Sequence, residues 1–323
     1  ICSLGHERFG YFGWPSVARL DDGTLVVAAS GYRTAHVCPW GKTVLCFSTD
    51  DGATWTPPRI VNDTPLDDRD AGVLALGGGR LLVTWFTRDT RPSVPPPAGD
   101  QPLQEHRQWQ AVLDLLDEAT VDLWLGSWVR LSPDGGASWE APVRIPLSTP
   151  HGPIRRTGGD LLLLGKARPT GQDRWHGQPI RAARSDDGLT WELLGDVPLP
   201  EGVRPENVHE PHVAERADGR LVGMLRYQHY QGEGALEHFS LQQTDSDDGG
   251  RTWTPARPIG VLGSPPHLLR HSSGRLVCVY GYRREPFGQR AIVSADDGRT
   301  WSEPVVLRDD GPSGDLGYPA SVE

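Results

Sequence analysis

Ser48-Thr49-Asp50-Asp51-Gly52-Ala53-Thr54-Trp55 reads as a turn, and its pattern occurs five times in this chain. The other copies are Ser132-Pro133-Asp134-Gly135-Gly136-Ala137-Ser138-Trp139, Arg184-Ser185-Asp186-Asp187-Gly188-Leu189-Thr190-Trp191, Ser246-Asp247-Asp248-Gly249-Gly250-Arg251-Thr252-Trp253 and Ser294-Ala295-Asp296-Asp297-Gly298-Arg299-Thr300-Trp301. Aspartate bonds its own backbone and glycine supplies φ > 0, so the pair closes a tight turn, which the tryptophan anchors on a sheet. In the third copy Arg184 stands where serine is expected. A unit repeating at this scale marks a propeller or solenoid.

Upstream of each turn lies a second recurring unit: a strand, a glycine turn and an apolar strand. The five begin at Trp14, Asp70, Pro150, Glu210 and Pro265. They read as hairpins whose apolar runs suit buried central strands. Four strands per unit around an axis make an all-β propeller. A sixth unit starts at Tyr318-Pro319-Ala320-Ser321-Val322-Glu323, parallel to Glu210-Pro211-His212-Val213-Ala214-Glu215, and the sequence stops there. The expectation is one six-bladed domain over residues 1–323, its sixth blade cut after the first strand. Open strand edges invite pairing, so an incomplete chain is expected; residues 1–10 supply one more strand at most.

An insertion of about residues 89–123 interrupts the second blade. A Pro-rich stretch from Arg91 to Pro97 opens it. A helix is then predicted from Gln101 to Thr120, with Trp109, Val112, Leu113, Leu115 and Leu116 apolar among charged residues. Its place in the repeat puts it on the face where the first strands begin, as a lid over a pocket or an oligomer contact.

Glycine (39), proline (29) and tryptophan (12) are plentiful among 323 residues, which suits many short strands and tight turns. A net charge of −10 argues against a nucleic-acid partner, since phosphate binding needs a basic face. An anionic ligand would need arginines gathered in one pocket. Cys2, Cys38, Cys46 and Cys278 show neither CxxC spacing nor a disulfide-dense pattern, and fit free thiols. No apolar run approaches the ~18 residues of a membrane span, so no membrane partner is expected. No secretory signal is visible, and the chain opens at Ile1 rather than Met, which leaves compartment and oligomeric state open.

The first strand of a propeller blade lines the central channel. Nine positions before the turn glycines Gly23, Gly79, Gly159, Gly219 and Gly274 stand Trp14, Asp70, Pro150, Glu210 and Pro265, and the parallel with Glu210 adds Tyr318. A ring holding Asp70, Glu210, Tyr318 and Trp14 is therefore predicted. Arginine follows the second strand of every complete unit: Arg33, Arg88, Arg168, Arg226 and Arg283. These ends share the channel mouth, and arginine suits bidentate carboxylate recognition.

With these residues in place, the chain resembles the sialidase superfamily of glycoside hydrolases, whose Asp-box the repeated turn matches. The resemblance implies a Tyr nucleophile at Tyr318, activated by Glu210. It implies substrate-clamping arginines at Arg226 and Arg283, a further pocket arginine at Arg33, and a substrate-contacting Asp70 with Arg69 beside it. Tyrosine as nucleophile suits an anionic sugar, and sialidases are the known exception to the two-carboxylate rule. A phenol near pKa 10 needs an adjacent base.

Two departures from the family pattern shape the expected substrate. The first clamp arginine of the family sits in an Arg-Ile-Pro motif, where this chain has Gly13-Trp14-Pro15. The family's acid/base Asp follows Arg33, where this chain has Thr34-Ala35-His36-Val37-Cys38-Pro39-Trp40-Gly41 without a carboxylate. His36, with an unperturbed pKa near 6.5, or Asp70 is then the acid. His151, His212 and His267 fall at the same level by register and are read as polar pocket lining that contacts sugar hydroxyls, with no metal or other cofactor. The expected function is a retaining exo-glycosidase acting on a terminal acidic or unusual sugar of a glycan. A non-catalytic carbohydrate-binding propeller and a polysaccharide lyase on the same scaffold are the alternatives.

Overall fold

The computed structural model describes residues 7–93, 100–167, 177–229 and 236–323. Among these residues five antiparallel sheets follow one another along the chain, each in sequential strand order. Their inner strands are Tyr11–Arg19, Asp67–Gly77, Ile154–Arg155, Val208–Glu215 and Pro266–Arg270. They pair with Leu25–Arg33, Arg80–Arg88, Leu161–Ala167, Leu221–Tyr227 and Leu276–Tyr282. The third sheet gains a short fifth strand, Leu147–Ser148, on its second strand.

Among the described residues the propeller thus shows five blades, not the six expected. Residues 318–323 form no strand, but they lie between the inner strands of the fifth and first blades. The Ser321 N–H donates to His267 Nδ1 at 3.3 Å, the Ser272 N–H to Glu323 Oε2 at 2.7 Å, and Arg19 Nε to the Glu323 carbonyl at 3.0 Å. Among the described residues the segment exchanges ladder bonds with no strand, and Pro319 has no N–H to donate; these separate contacts seat it.

The core sits between blades. One apolar cluster joins Ala18, Val26 and Leu45 of the first blade to Val73 and Leu81 of the second, and similar clusters join each later pair. The repeated turns close each blade onto these clusters: Trp139, Trp191, Trp253 and Trp301 each pack on one. In the first turn, Thr54 N–H and hydroxyl donate to the two Asp50 carboxylate oxygens at 2.8 and 2.6 Å, and Trp55 Nε1 donates to the Gly52 carbonyl at 2.9 Å. The third turn is one residue shorter. Ser185 takes the serine place, Gly188 N–H donates to its hydroxyl at 2.8 Å, and Asp187 holds Thr190. Arg184 therefore does not replace the serine; it turns outward to Asp160 and Asp186.

The insertion forms two helices rather than one, α1 (Asp100–Leu113) and α2 (Glu118–Trp124). Asp117 caps the second by accepting from Thr120 N–H at 2.7 Å, which restarts the helix after a break. Trp109 and Leu113 bury against Cys38, on the loop that follows Arg33. Leu115, expected on the apolar face, falls in the break and is 82% exposed.

Candidate active site

Four of the six ring positions share one backbone device. Trp14, Asp70, Glu210 and Tyr318 have φ of 55°, 51°, 45° and 60°. In the first, second and fourth blades the inner strand is bulged at this point, between Gly13 and Ser16, Arg69 and Gly72, and His209 and His212. A bulge re-aims a side chain out of the strand's alternation. A left-handed non-glycine residue costs about 1–3 kcal/mol, which the surrounding sheet must offset. The other two ring positions are Pro150 and Pro265, whose rings fix φ negative.

The re-aimed side chains meet. Tyr318 Oη donates to one Glu210 carboxylate oxygen, and Arg226 Nη1 donates to the other. The same Nη1 lies 3.2 Å from Tyr318 Oη. Burial pushes the Glu210 carboxyl up, but the Arg226 charge and the phenol hydrogen bond outweigh it and hold the group below its ordinary range. Burial, then the Glu210 charge, push the Tyr318 phenol well above its ordinary 10. A protonated phenol thus donates to an ionised base, and the proton can move as the phenol forms a bond. Arg283 stands 5.9 Å from the Tyr318 ring centroid and donates to the carbonyls of Ser264 (3.1 Å) and Gly314 (3.0 Å). Arg226 and Arg283 both flank Phe239, at 5.4 and 5.2 Å from its centroid. Of the five arginines expected at the channel mouth, Arg226 and Arg283 are brought together here.

Trp14 is 4% exposed, so it forms the floor of this group rather than a face for a sugar. The guanidinium carbons of Arg33 and Arg69 lie 4.8 and 4.2 Å from its ring centroid. Arg33 is fully buried. It makes a bidentate pair with Asp67 and donates to Ser30 Oγ (2.9 Å) and to the carbonyls of Ala35 (3.3 Å) and His36 (3.0 Å). Its donors are engaged by the protein, which places it beneath the site, contrary to its expected contact with substrate. Arg69 also fastens the His36 carbonyl, at 2.8 Å. Asp70 is 7% exposed, and its charge acts on both Tyr318 and Tyr11.

His36 does reach the site. Its ring stands edge-on to Trp14 at 5.1 Å, and Trp14 stands edge-on to Tyr318 at 6.3 Å. His36 Nδ1 is 3.2 Å from Asp315 Oδ1. Burial, then Arg69, hold His36 below its ordinary 6.5, while Asp315 pulls it back up. Tyr11 lies 6.0 Å from Trp14, with its phenol raised by burial and by Asp315. Asp67, Asp315, Tyr11 and Phe239 are absent from the sequence-based expectation. The first three carried a signal: each stands three positions before a ring residue, Asp70, Tyr318 and Trp14.

His151, His212 and His267 are gathered elsewhere. Their rings lie 4.4 to 5.5 Å apart on the axis. They line a cavity of about 280 Å³ that runs past Arg19 and Arg155 toward the turn end of the inner strands, and no ring residue lines it. Burial holds all three far below the ordinary histidine range, His267 at about 4. Their expected contact with substrate at the ring is therefore not formed. Among the described residues no group of three or more His, Cys, Asp or Glu is arranged to hold a metal. Arg88 donates to Ser93 Oγ at 3.1 Å, outside the cluster, and Arg168 lies outside the described residues. Among the described residues no helix is long and apolar enough to cross a membrane.

A family profile described as BNR repeat-like domain matches residues 104–323. No curated protein sequence is significantly similar. Among solved structures, a protein of unknown function from Dyadobacter fermentans is 26% identical with a TM-score of 0.75, over 99% of this chain and 89% of that one. The Hadza microbial sialidase is 19% identical, with a TM-score of 0.66 over 98% of this chain and 62% of its own. The NanB sialidase of Streptococcus pneumoniae is 13% identical, with a TM-score of 0.64 over 96% of this chain and 63% of its own. The chain thus spans less than two thirds of either sialidase, and both likenesses are of fold.

Proposed function

Because this chain belongs to the BNR repeat-like domain family and has a sialidase-like propeller fold, we propose that it is a retaining exo-glycoside hydrolase. Its substrate is a terminal acidic or unusual sugar on a glycan. The observation that carries this reading is the hydrogen-bonded set of Tyr318, Glu210 and Arg226 at one end of the channel. A binding module has no need of a buried phenol held against an ionised base.

Tyr318 Oη attacks the anomeric carbon and passes its proton to Glu210. Arg226 keeps Glu210 ionised until that moment; once Glu210 has taken the proton, the guanidinium charge is left to pair with the anionic group of the sugar. Arg283 and Arg69 face an anionic sugar with Arg226, and a neutral nucleophile avoids the repulsion that a carboxylate would impose. The leaving oxygen takes its proton from an acid, for which His36 and Asp70 are the candidates.

The test is a panel of aryl glycosides of sialic, related ulosonic, uronic and neutral sugars, with Tyr318→Phe beside the wild type. Release from one glycoside, reduced at least about a thousandfold in the variant, with the product anomer retained by NMR, supports the reading. Silence across the panel, with glycan binding unchanged in Tyr318→Phe, overturns it in favour of a carbohydrate-binding propeller.

A further inference from the structure

We propose that His36 is the proton donor to the leaving group and that Asp315 is its positioning residue. This inference rests on the hydrolase reading above. Four contacts hold His36, two on its backbone carbonyl and two on its ring. Its carbonyl is tied down by Arg33 and Arg69, its ring plane is set edge-on against Trp14, and its Nδ1 faces the Asp315 carboxylate at 3.2 Å. A carboxylate at Nδ1 accepts the proton carried there and favours the imidazolium, whose Nε2–H is the proton given to the leaving oxygen. The His36 side chain is 46% exposed, so that nitrogen is within reach of a ligand. The Trp14 ring neighbours both partners, its centroid 5.1 Å from that of His36 and 6.3 Å from that of Tyr318. Acid and nucleophile are thus both held beside one buried ring, over the floor of the same site.

The step balances as follows. Tyr318 Oη bonds to the anomeric carbon and loses its proton to Glu210. The bond to the leaving oxygen breaks with its electron pair on oxygen, which takes the proton from His36 Nε2. In the second half, water attacks the anomeric carbon and gives a proton to His36. The bond to Tyr318 then breaks onto the phenol oxygen, which recovers its proton from Glu210. The charged groups facing His36 are Asp315, which favours its protonated form, and Arg69 and Arg33, which oppose it. Tyr11 faces Asp315 from the first blade.

Two measurements test this. The His36 imidazole is titrated by NMR in the wild type and in Asp315→Asn, with no substrate present; the variant's midpoint should fall by about half a pH unit or more. Kinetics then compare 2,4-dinitrophenyl and methyl glycosides of the sugar released in the panel. His36→Ala should lose about 10²–10⁴-fold on the methyl glycoside, whose leaving group needs an acid, and under tenfold on the dinitrophenyl one. The alkaline limb of the Asp315→Asn profile should move to lower pH. An unmoved midpoint, an equal loss on both glycosides, or leaving-group dependence in Asp70→Asn instead overturns the inference while the tyrosine reading stands. A wild type inactive on the whole panel overturns both.

Discussion

Glu210 is held between a phenol and a guanidinium, so an isosteric amide disturbs both sides. Glu210→Gln leaves Arg226, 7% exposed, without its counter-charge. Breaking a buried ion pair costs about 3–5 kcal/mol, so the variant should melt lower as well as lose activity; differential scanning calorimetry and glycoside release check the two. Asp68 offers a pH-dependent case. Burial lifts its carboxyl to about 7, although Thr64 donates to it through N–H and hydroxyl. The folded pKa exceeds the ordinary 3.8, so the folded state binds this proton more tightly and loses stability as pH rises from about 4 to about 7. Asp68→Asn should raise the melting temperature by a few degrees at pH 8 and change it little at pH 4. At this scale Tyr318, Glu210, Arg226 and Arg283 were legible, because a repeat assigns each residue a height in the channel. Arg33 was not, because register gives height without partners, and its partner Asp67 stands on another blade.

The insertion acts on the site through one loop. Trp109 and Leu113 of α1 pack on Cys38, two residues beyond His36. Trp109→Ala removes an anchor whose like cost about 3–5 kcal/mol in well-packed cores. Hydrogen exchange across residues 34–41 should accelerate, while strand Leu221–Tyr227 keeps its protection. An unchanged loop would show that α1 rests there without supporting it. The helical character of this region was legible from apolar periodicity. Its break was not, because the cap at Asp117 outweighs a pattern that runs through Leu115. The third turn was misaligned for a comparable reason: a one-residue deletion leaves the letters in place and shifts which aspartate accepts the hydrogen bonds.

Across the whole molecule, the repeated turns make acid stability a shared property. Hydrogen bonds from the threonine four residues on, across each turn, hold Asp50, Asp248 and Asp296 at about 2. A carboxylate with a depressed folded pKa stabilises above its ordinary 3.8 and loses that contribution as pH falls through about 2. Replacing all three by Asn should flatten the fall in melting temperature between pH 4 and pH 2, in a thermal scan at each pH. The propeller class was legible from the five turns. The blade count was not, because Tyr318–Glu323 repeats the letters of an inner strand but makes none of its ladder bonds. The four left-handed ring residues have a consequence of their own. The backbone at those points aims the side chain it bears toward a common focus, and the sheets behind it hold the left-handed conformation in place. They work as sockets, into which a phenol, a carboxylate or an indole has been fitted. Such a propeller can be retargeted to another ligand by changing the plugs while the barrel of sockets stays as it is.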